Sequence, residues 1–440
     1  MKKSSLFLAA IVCSIAWIPR AALAVDVQRV VSDKGIEAWL IQDSSNPITT
    51  LKFSFKGGSA LDPDGKAGLA NLAASTMDEG AGDMDSQAFQ QALDDKSISL
   101  GFEAARDSFR GTLRTLNVYR DDAFKYLRLA MTEPRFDADP VERLCARLIS
   151  DVRQRRTNPG SMAFRRIWES AYPGHPYSKP RRGTEDGLSA ITQDDLKGFV
   201  EKRLARDNLT IGVVGDITPD ALKKYLDDVF GALPEAAAPR NVPDATAQLD
   251  GGVKIVDVDV VQSAIRFVQP GIKREDPDFY TAYVLNYILG GGGFVSRLYS
   301  EVREKRGLVY SVYSFLMPLD HTALIGGSAG TANERVAETL ETVRSVWKTF
   351  AEEGPSAEEL KDAKTYLTGN YPLRFTSSSA IADMLVGMQE DKLGIDYIDK
   401  RNSLIEAVTL QDAKRVAKRL YQPEKLTFVI AGRPVGVIAN

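Results

Sequence analysis

Four consecutive glycines, Gly290, Gly291, Gly292 and Gly293, stand ten residues ahead of Arg303, and Tyr310 follows that arginine by seven. The stretch from 290 to 310 reads GGGGFVSRLYSEVREKRGLVY. A guanidinium and a phenol hydroxyl so spaced act on one point only if the chain between them turns back. A glycine run ahead of a helix also raises phosphate binding. Here neither G-x-G-x-x-G nor G-x-x-x-x-G-K-[ST] is matched, and the preceding element reads as a helix where a strand is required. Other chemistry is sparse. The chain has two histidines, His175 in GHPYSKP and His321 in LDHTAL, far apart in sequence. No G-x-S-x-G is present to support a Ser-His-Asp arrangement. His175 reads as structural, His321 as a surface-loop residue and Cys145 as core filling.

The elements that must position Arg303 and Tyr310 follow from spacing. Asp276 and Pro277 look like N-cap and N1, and Phe279, Ala282, Tyr283, Asn286 and Tyr287 keep helical spacing up to a stop at Gly290. Beyond the glycines, Val295, Leu298, Tyr299 and Val302 form an apolar stripe, while Arg297, Glu301 and Lys305 make i,i+4 pairs on the wet side. Gly307 is the predicted stop. A strand follows through Val309, Tyr310, Ser311, Val312, Tyr313 and Phe315. Arg303 then sits in a last helical turn and Tyr310 near a strand start, where the two can converge.

With the glycine run, SRLY and REKRGLVY in this order, the chain resembles the pitrilysin (insulinase) family of zinc peptidases and their relatives in mitochondrial processing. Their second halves carry an Arg and a Tyr seven residues apart. The resemblance implies that Arg303 holds a backbone carbonyl of a bound peptide and that Tyr310 donates to the oxyanion at the scissile bond. It also implies that Gly290 to Gly293 line the substrate chamber and hinge. Read without it, Arg303 caps carbonyls or pairs with a carboxylate, and Tyr310 packs.

Members that cut peptides carry H-x-x-E-H on the first helix after the opening strand, two zinc ligands a turn apart beside a general base. The matching frame is GLANLAAS, residues 68 to 75, with Asn71 and Ser75 at the histidine positions and Ala74 at the base. Neutral Asn and Ser oxygens are poor zinc ligands, and alanine moves no proton. By resemblance the third ligand falls near Ser150 and Asp151. No cofactor is therefore expected on this chain, and zinc is expected in a partner.

At 440 residues, 44% hydrophobic and 26% charged, the sequence has room for two domains and the balance of a globular protein. Lys2 and Lys3, an apolar run from Leu6 to Ile18 and Ala22-Leu23-Ala24 read as a signal peptide over 1–24, placing the mature chain in the periplasm or outside the cell. Without it, 53 Lys and Arg face 59 Asp and Glu, a net of −6 that gives no footing for nucleic acid. Ala190 to Asp195, AITQDD, is echoed by Ala407 to Asp412, AVTLQD, and the same shift of 217 carries LTIGVVGD at 209 onto LTFVIAGR at 426. The reading is a duplicated α+β fold with helices over largely antiparallel sheets: a first domain over 25–235, a Pro- and Ala-rich linker over 236–252 and a second domain over 253–440. The resemblance adds that these are homologous pitrilysin-like domains forming a clam-shell around a peptide.

An empty zinc helix beside an intact Arg/Tyr loop resembles the non-metal-binding subunit of two-chain family members, in its secreted bacterial form. Such a chain is inactive alone and completes the site of a homologous zinc-bearing subunit. The alternative is a non-catalytic structural or binding module of the same fold.

Overall fold

A computed structural model of the chain describes residues 26–239 and 241–439, so the expected signal peptide lies outside the described residues. Eleven strands form two sheets. The first contains β1 (Gln28–Val31), β2 (Glu37–Gln42), β3 (Ile48–Lys56), β4 (Ser99–Ala104), β5 (Ser108–Leu116) and β6 (Leu209–Gly215), in the order β1-β2-β6-β3-β5-β4. The second contains β7 (Val253–Val256), β8 (Gln262–Pro270), β9 (Val312–Pro318), β10 (Ala323–Ala332) and β11 (Thr427–Ala431), in the order β7-β11-β8-β10-β9. Apart from β1, the two orders match strand for strand. Each has one parallel pair, β2 with β6 and β7 with β11, and is otherwise antiparallel. The repeated LTIGVVGD and LTFVIAGR segments lie in β6 and β11, the strands that join the parallel pair to the antiparallel part.

The repetition reaches single side chains. Phe53 of β3 stands opposite Gly111 of β5, and Phe267 of β8 stands opposite Gly327 of β10. A Cβ on either glycine would lie 2.0 Å from the facing ring, so each phenylalanine lies across a strand that only glycine leaves open. Both rings then meet aromatic neighbours edge-on, Phe230 at 5.3 Å and Trp347 at 5.8 Å.

One face of each sheet carries helices from its own half. Leu69–Thr76, Arg120–Thr132, Gln193–Arg203 and Pro219–Phe230 share a core with Phe53 and Phe55, and Phe279–Asn286, Val336–Glu353 and Leu410–Leu420 share one with Phe267. The opposite faces are covered by exchange. Helix Pro159–Ala171 of the first half lays Ala163, Ile167 and Trp168 against Val268, Leu324 and Val429 of the second sheet. Helix Ser378–Glu390 of the second half lays Ile381, Leu385 and Met388 against Trp39, Ile41 and Val214 of the first. Of the expected linker over 236–252, residues 241–252 run as an ordered strap. Ala247 is buried, the Ala245 amide donates to His321 O and the Gln248 amide to Ala171 O, both at 2.8 Å.

Candidate functional site

The segment around Arg303 departs from regular helix twice. Its leading helix, Phe279–Asn286, starts later than spacing predicts, after Asp278, because the Asp276 carboxylate accepts from the Asp278 amide at 2.9 Å and makes a turn of its own. That helix does not stop at Gly290. It widens into a π-helical turn over Tyr287–Gly291, and the Gly292 amide donates to Tyr287 O at 2.8 Å. Gly290 is a close-approach position, since a Cβ there would lie 2.6 Å from Ser314 N. Gly291 and Gly292 border a recess of about 230 Å³ with Tyr287 and Tyr366, and Gly293 makes a left-handed turn at φ +61°.

Tyr299–Glu304 is a second π-helical segment. It ends as the sequence predicts, with Gly307 at φ +60°, its amide donating to Arg303 O at 2.8 Å and the Leu308 amide to Val302 O at 3.0 Å. The expected surface ladder is half right. Lys305 meets Glu301 at 2.5 Å, but Arg297 turns to Glu359, both of whose carboxylate oxygens lie at 2.6 Å from the guanidinium. Strand β9 begins at Val312, leaving Tyr310 in the bend before it.

This geometry brings Arg303 and Tyr310 together. The Arg303 guanidinium lies 5.4 Å from the Tyr310 ring centre and 4.7 Å from that of Tyr299. Tyr310 is 85% exposed, so it is not packing filler. Phe294 and Val295, each 75% exposed, make an apolar lip beside the pair, and Phe294 meets Tyr299 edge-on at 5.0 Å. A cation and a phenol on a common aromatic stack present donors to solvent, as peptide and oxyanion contacts require.

The helix matching the zinc frame, Leu69–Thr76, is held by Asp62 because its own N-cap, Gly68, has no side chain to offer. Asp62 accepts from the Gly68 amide at 2.8 Å and the Ala70 amide at 3.0 Å, and burial pushes its pKa up to about 6. Asn71 and Ser75 stand a turn apart, and the Ser75 hydroxyl donates to Asn71 O at 2.9 Å. Ala74 is buried in the core. Asp151 is taken by Arg155 at 2.9 Å and Arg182 at 3.4 Å. Among the described residues, no three His, Cys, Asp or Glu side chains are grouped to hold a metal.

The two histidines, distant in sequence, both reach the Tyr177 ring, at 5.0 Å for His175 and 6.1 Å for His321. His175 has a structural place: Nδ1 accepts from the Tyr177 amide at 3.1 Å, which leaves Nε2 to donate to Pro243 O at 2.8 Å. His321 is half-buried rather than a free loop residue, with Nδ1 at 3.2 Å from Asp244. Tyr177 donates to Asp107 at 2.7 Å. The group fastens the β9–β10 turn to the first half.

A cavity of about 630 Å³ opens where helix Pro159–Ala171 crosses the second sheet. Gly183 in its wall packs on Gly68 at the head of the zinc-frame helix, and Tyr313 in its wall lies three residues past Tyr310. Arg303, Tyr310 and Gly290 to Gly293 do not line it. Its basic residues, Arg106, Arg181 and Arg266 among them, belong to no motif. The sequence signals are the short runs RQRR at 153–156, RR at 165–166 and RR at 181–182.

A family profile described as the peptidase M16 inactive domain matches residues 190–367, from the last two helices and last strand of the first half to beyond the Arg303 segment. A solved structure of a peptidase M16 inactive domain from Pseudomonas fluorescens superposes with a TM-score of 0.88 at 28% identity, over 94% of this chain and 99% of that one. The chain is similar to M16, pitrilysin-type, proteins over most of its length. Among its relatives, the "non-peptidase homolog YmxG" of Helicobacter pylori is 27% identical over 87% of this chain and 89% of its own length. An "uncharacterized zinc protease" of Streptomyces coelicolor is 28% identical over 62% of this chain and 60% of its own. The likeness to the M16 inactive-domain structure accounts for the matched sheets, and a chain without histidines or base in its zinc frame fits the inactive-domain and non-peptidase descriptions of those proteins.

Proposed function

We propose that this chain is the non-metal-binding subunit of a two-chain M16 peptidase. It supplies Arg303 and Tyr310 in trans to a homologous partner that carries zinc and the general base. The carrying observation is the Arg303–Tyr310 stack, open to solvent on a chain whose own zinc frame holds Asn71, Ala74 and Ser75. In the assembled site Arg303 holds a peptide carbonyl and Tyr310 donates to the oxyanion. The exposed lip of Phe294 and Val295 and the turn at Gly293 border the path of the peptide. From the leader-like N-terminus we infer a periplasmic or extracellular site of action for this complex.

The test is reconstitution. The purified chain, alone and mixed with a zinc-motif M16 subunit, is assayed for peptide cleavage and for metal content. Activity in the mixture alone, with zinc on the partner, is the expected result. Cleavage by the lone chain in the presence of a chelator contradicts it. In the mixture, Arg303→Ala is expected to raise KM more than it lowers kcat. A second reading, a structural module outside catalysis, draws on the non-peptidase name of the Helicobacter relative. It predicts a stable complex whose cleavage is indifferent to both residues.

A further inference from the structure

The cavity beside the zinc-frame helix is cationic in a chain that is acidic as a whole. The sequence carries a net charge of −3, yet nine of the 24 residues lining the cavity are Lys or Arg, and Glu169 is the one carboxylate among them. Part of this charge is neutralised from the rim, Arg155 by Asp151 and Arg156 by Glu185. Three guanidiniums make no ion pair with a carboxylate among the described residues. Arg106 lies 4.0 Å from the Trp168 ring and donates to Tyr177 O at 2.7 Å, and burial lowers its pKa to about 10. Arg181 is lowered by burial and by Arg182, against the pull of Glu103. Arg266 donates to Ile265 O and to the Ser328 hydroxyl and is likewise lowered by burial.

The duplication supplies an internal comparison. Phe267 corresponds to Phe53, so Arg266 corresponds to Lys52 of β3. Lys52 is paired with Asp383 at 2.6 Å and nearby Arg110 with Glu390 at 2.7 Å, both carboxylates coming from the exchanged helix Ser378–Glu390. The reciprocal helix, Pro159–Ala171, offers Arg266 no carboxylate. It places Gly160 there, where a Cβ would lie 2.8 Å from Arg266 Nη2. A buried cation without a counter-charge is costly. The fold neutralises it at one site and makes room for it at the matching one.

We propose that this cavity binds acidic peptide segments, whose side-chain carboxylates pair with Arg106, Arg181 and Arg266. The inference rests on the peptide-holding function proposed above and names its substrate class. A peptide fits better than free phosphate for two reasons. The volume is that of a site for a sizeable ligand, and Tyr313, Ser328 and Arg266 form one cross-strand row over β9, β10 and β8 that leads back toward Tyr310. The rings of Tyr313 in that row and of Phe315 and Phe164 in the wall cover the apolar parts of a peptide while the guanidiniums take its charge.

Fluorescence anisotropy on the full chain, with labelled peptides differing only in Glu against Gln, tests this. The Glu peptide is expected to bind about tenfold tighter, a margin that one or two charge-assisted hydrogen bonds supply, and the margin should shrink with salt. Arg181→Gln with Arg266→Gln removes the margin and leaves the Gln peptide unchanged, while Arg266→Lys keeps part of it. Gly160→Ala keeps every charge, displaces Arg266 and narrows the margin, which guards against a variant that simply misfolds. Equal affinity for the two peptides, or a margin that survives the double substitution, overturns the proposal. So does tighter binding of inorganic phosphate than of the Glu peptide. If the Glu preference is absent while Tyr310→Phe still slows the reconstituted peptidase, this inference fails and the proposed function stands. If the preference holds and Tyr310→Phe is neutral, the trans-site reading fails instead.

Discussion

Arg303 and Tyr310 converge because a π-helical turn and the left-handed Gly307 fold seven residues back on themselves, so a spacing becomes a contact of 5.4 Å between guanidinium and ring. The pair was legible in the sequence because it travels with an ordered string of neighbours. The cavity arginines were not, because Arg106, Arg181 and Arg266 come from three separate elements and meet only after the helix exchange. Asp62 was equally silent: its role as cap for the zinc-frame helix depends on a loop returning to Gly68 and Ala70. It carries a testable consequence. Burial raises its folded pKa to about 6 from the 3.8 of an ordinary aspartate, so the folded state holds the proton more tightly than the unfolded chain. The stabilisation is full below pH about 4 and is lost as pH rises through about 6, by up to ~3 kcal/mol. Urea denaturation of wild type and Asp62→Asn across this range should show the wild type losing stability relative to the variant as pH rises. A pH-independent difference would refute the assignment.

At the scale of elements, the largely antiparallel sheets and the paired strands at 209 and 426 followed from alternation and from the repeat at 217, while strand order and the helix boundaries around the glycines did not. Propensity places a stop at Gly290, but packing against Ser314 keeps the chain turning past it. The duplicated Phe-on-Gly pairs are a stronger marker of common architecture than the sequence echo, because each fixes a register and an open strand face at once. Gly111→Ala and Gly327→Ala should therefore act alike. Each puts a Cβ 2.0 Å from a buried ring, a clash that overpacking data value at about 1–3 kcal/mol or more. Thermal melts of the two variants check this. A neutral result at either position would mean that its sheet is free to shift and that the correspondence is looser than the topology implies.

For the molecule as a whole, the helix exchange makes the two halves mutually dependent. Neither sheet buries both faces without a helix from the other half, and the ordered strap over 241–252 adds to the shared core. Sequence periodicity identifies amphipathic helices but not which sheet they cover, which is why exchange could not be read before folding. Leu385→Ala, deep under the first sheet, should cost about 2–5 kcal/mol. It should lower one common unfolding transition, seen alike by far-UV and aromatic signals. Separate transitions for the two halves would contradict interlocking. The proposed completion of a partner's site by an oxyanion donor from this chain is tested by kcat of the reconstituted two-chain peptidase with Tyr310→Phe. A lost donor is valued at about 2.7–4 kcal/mol, so kcat should fall by roughly 10²–10³ with little change in KM. An unchanged kcat, with the complex intact, would contradict it.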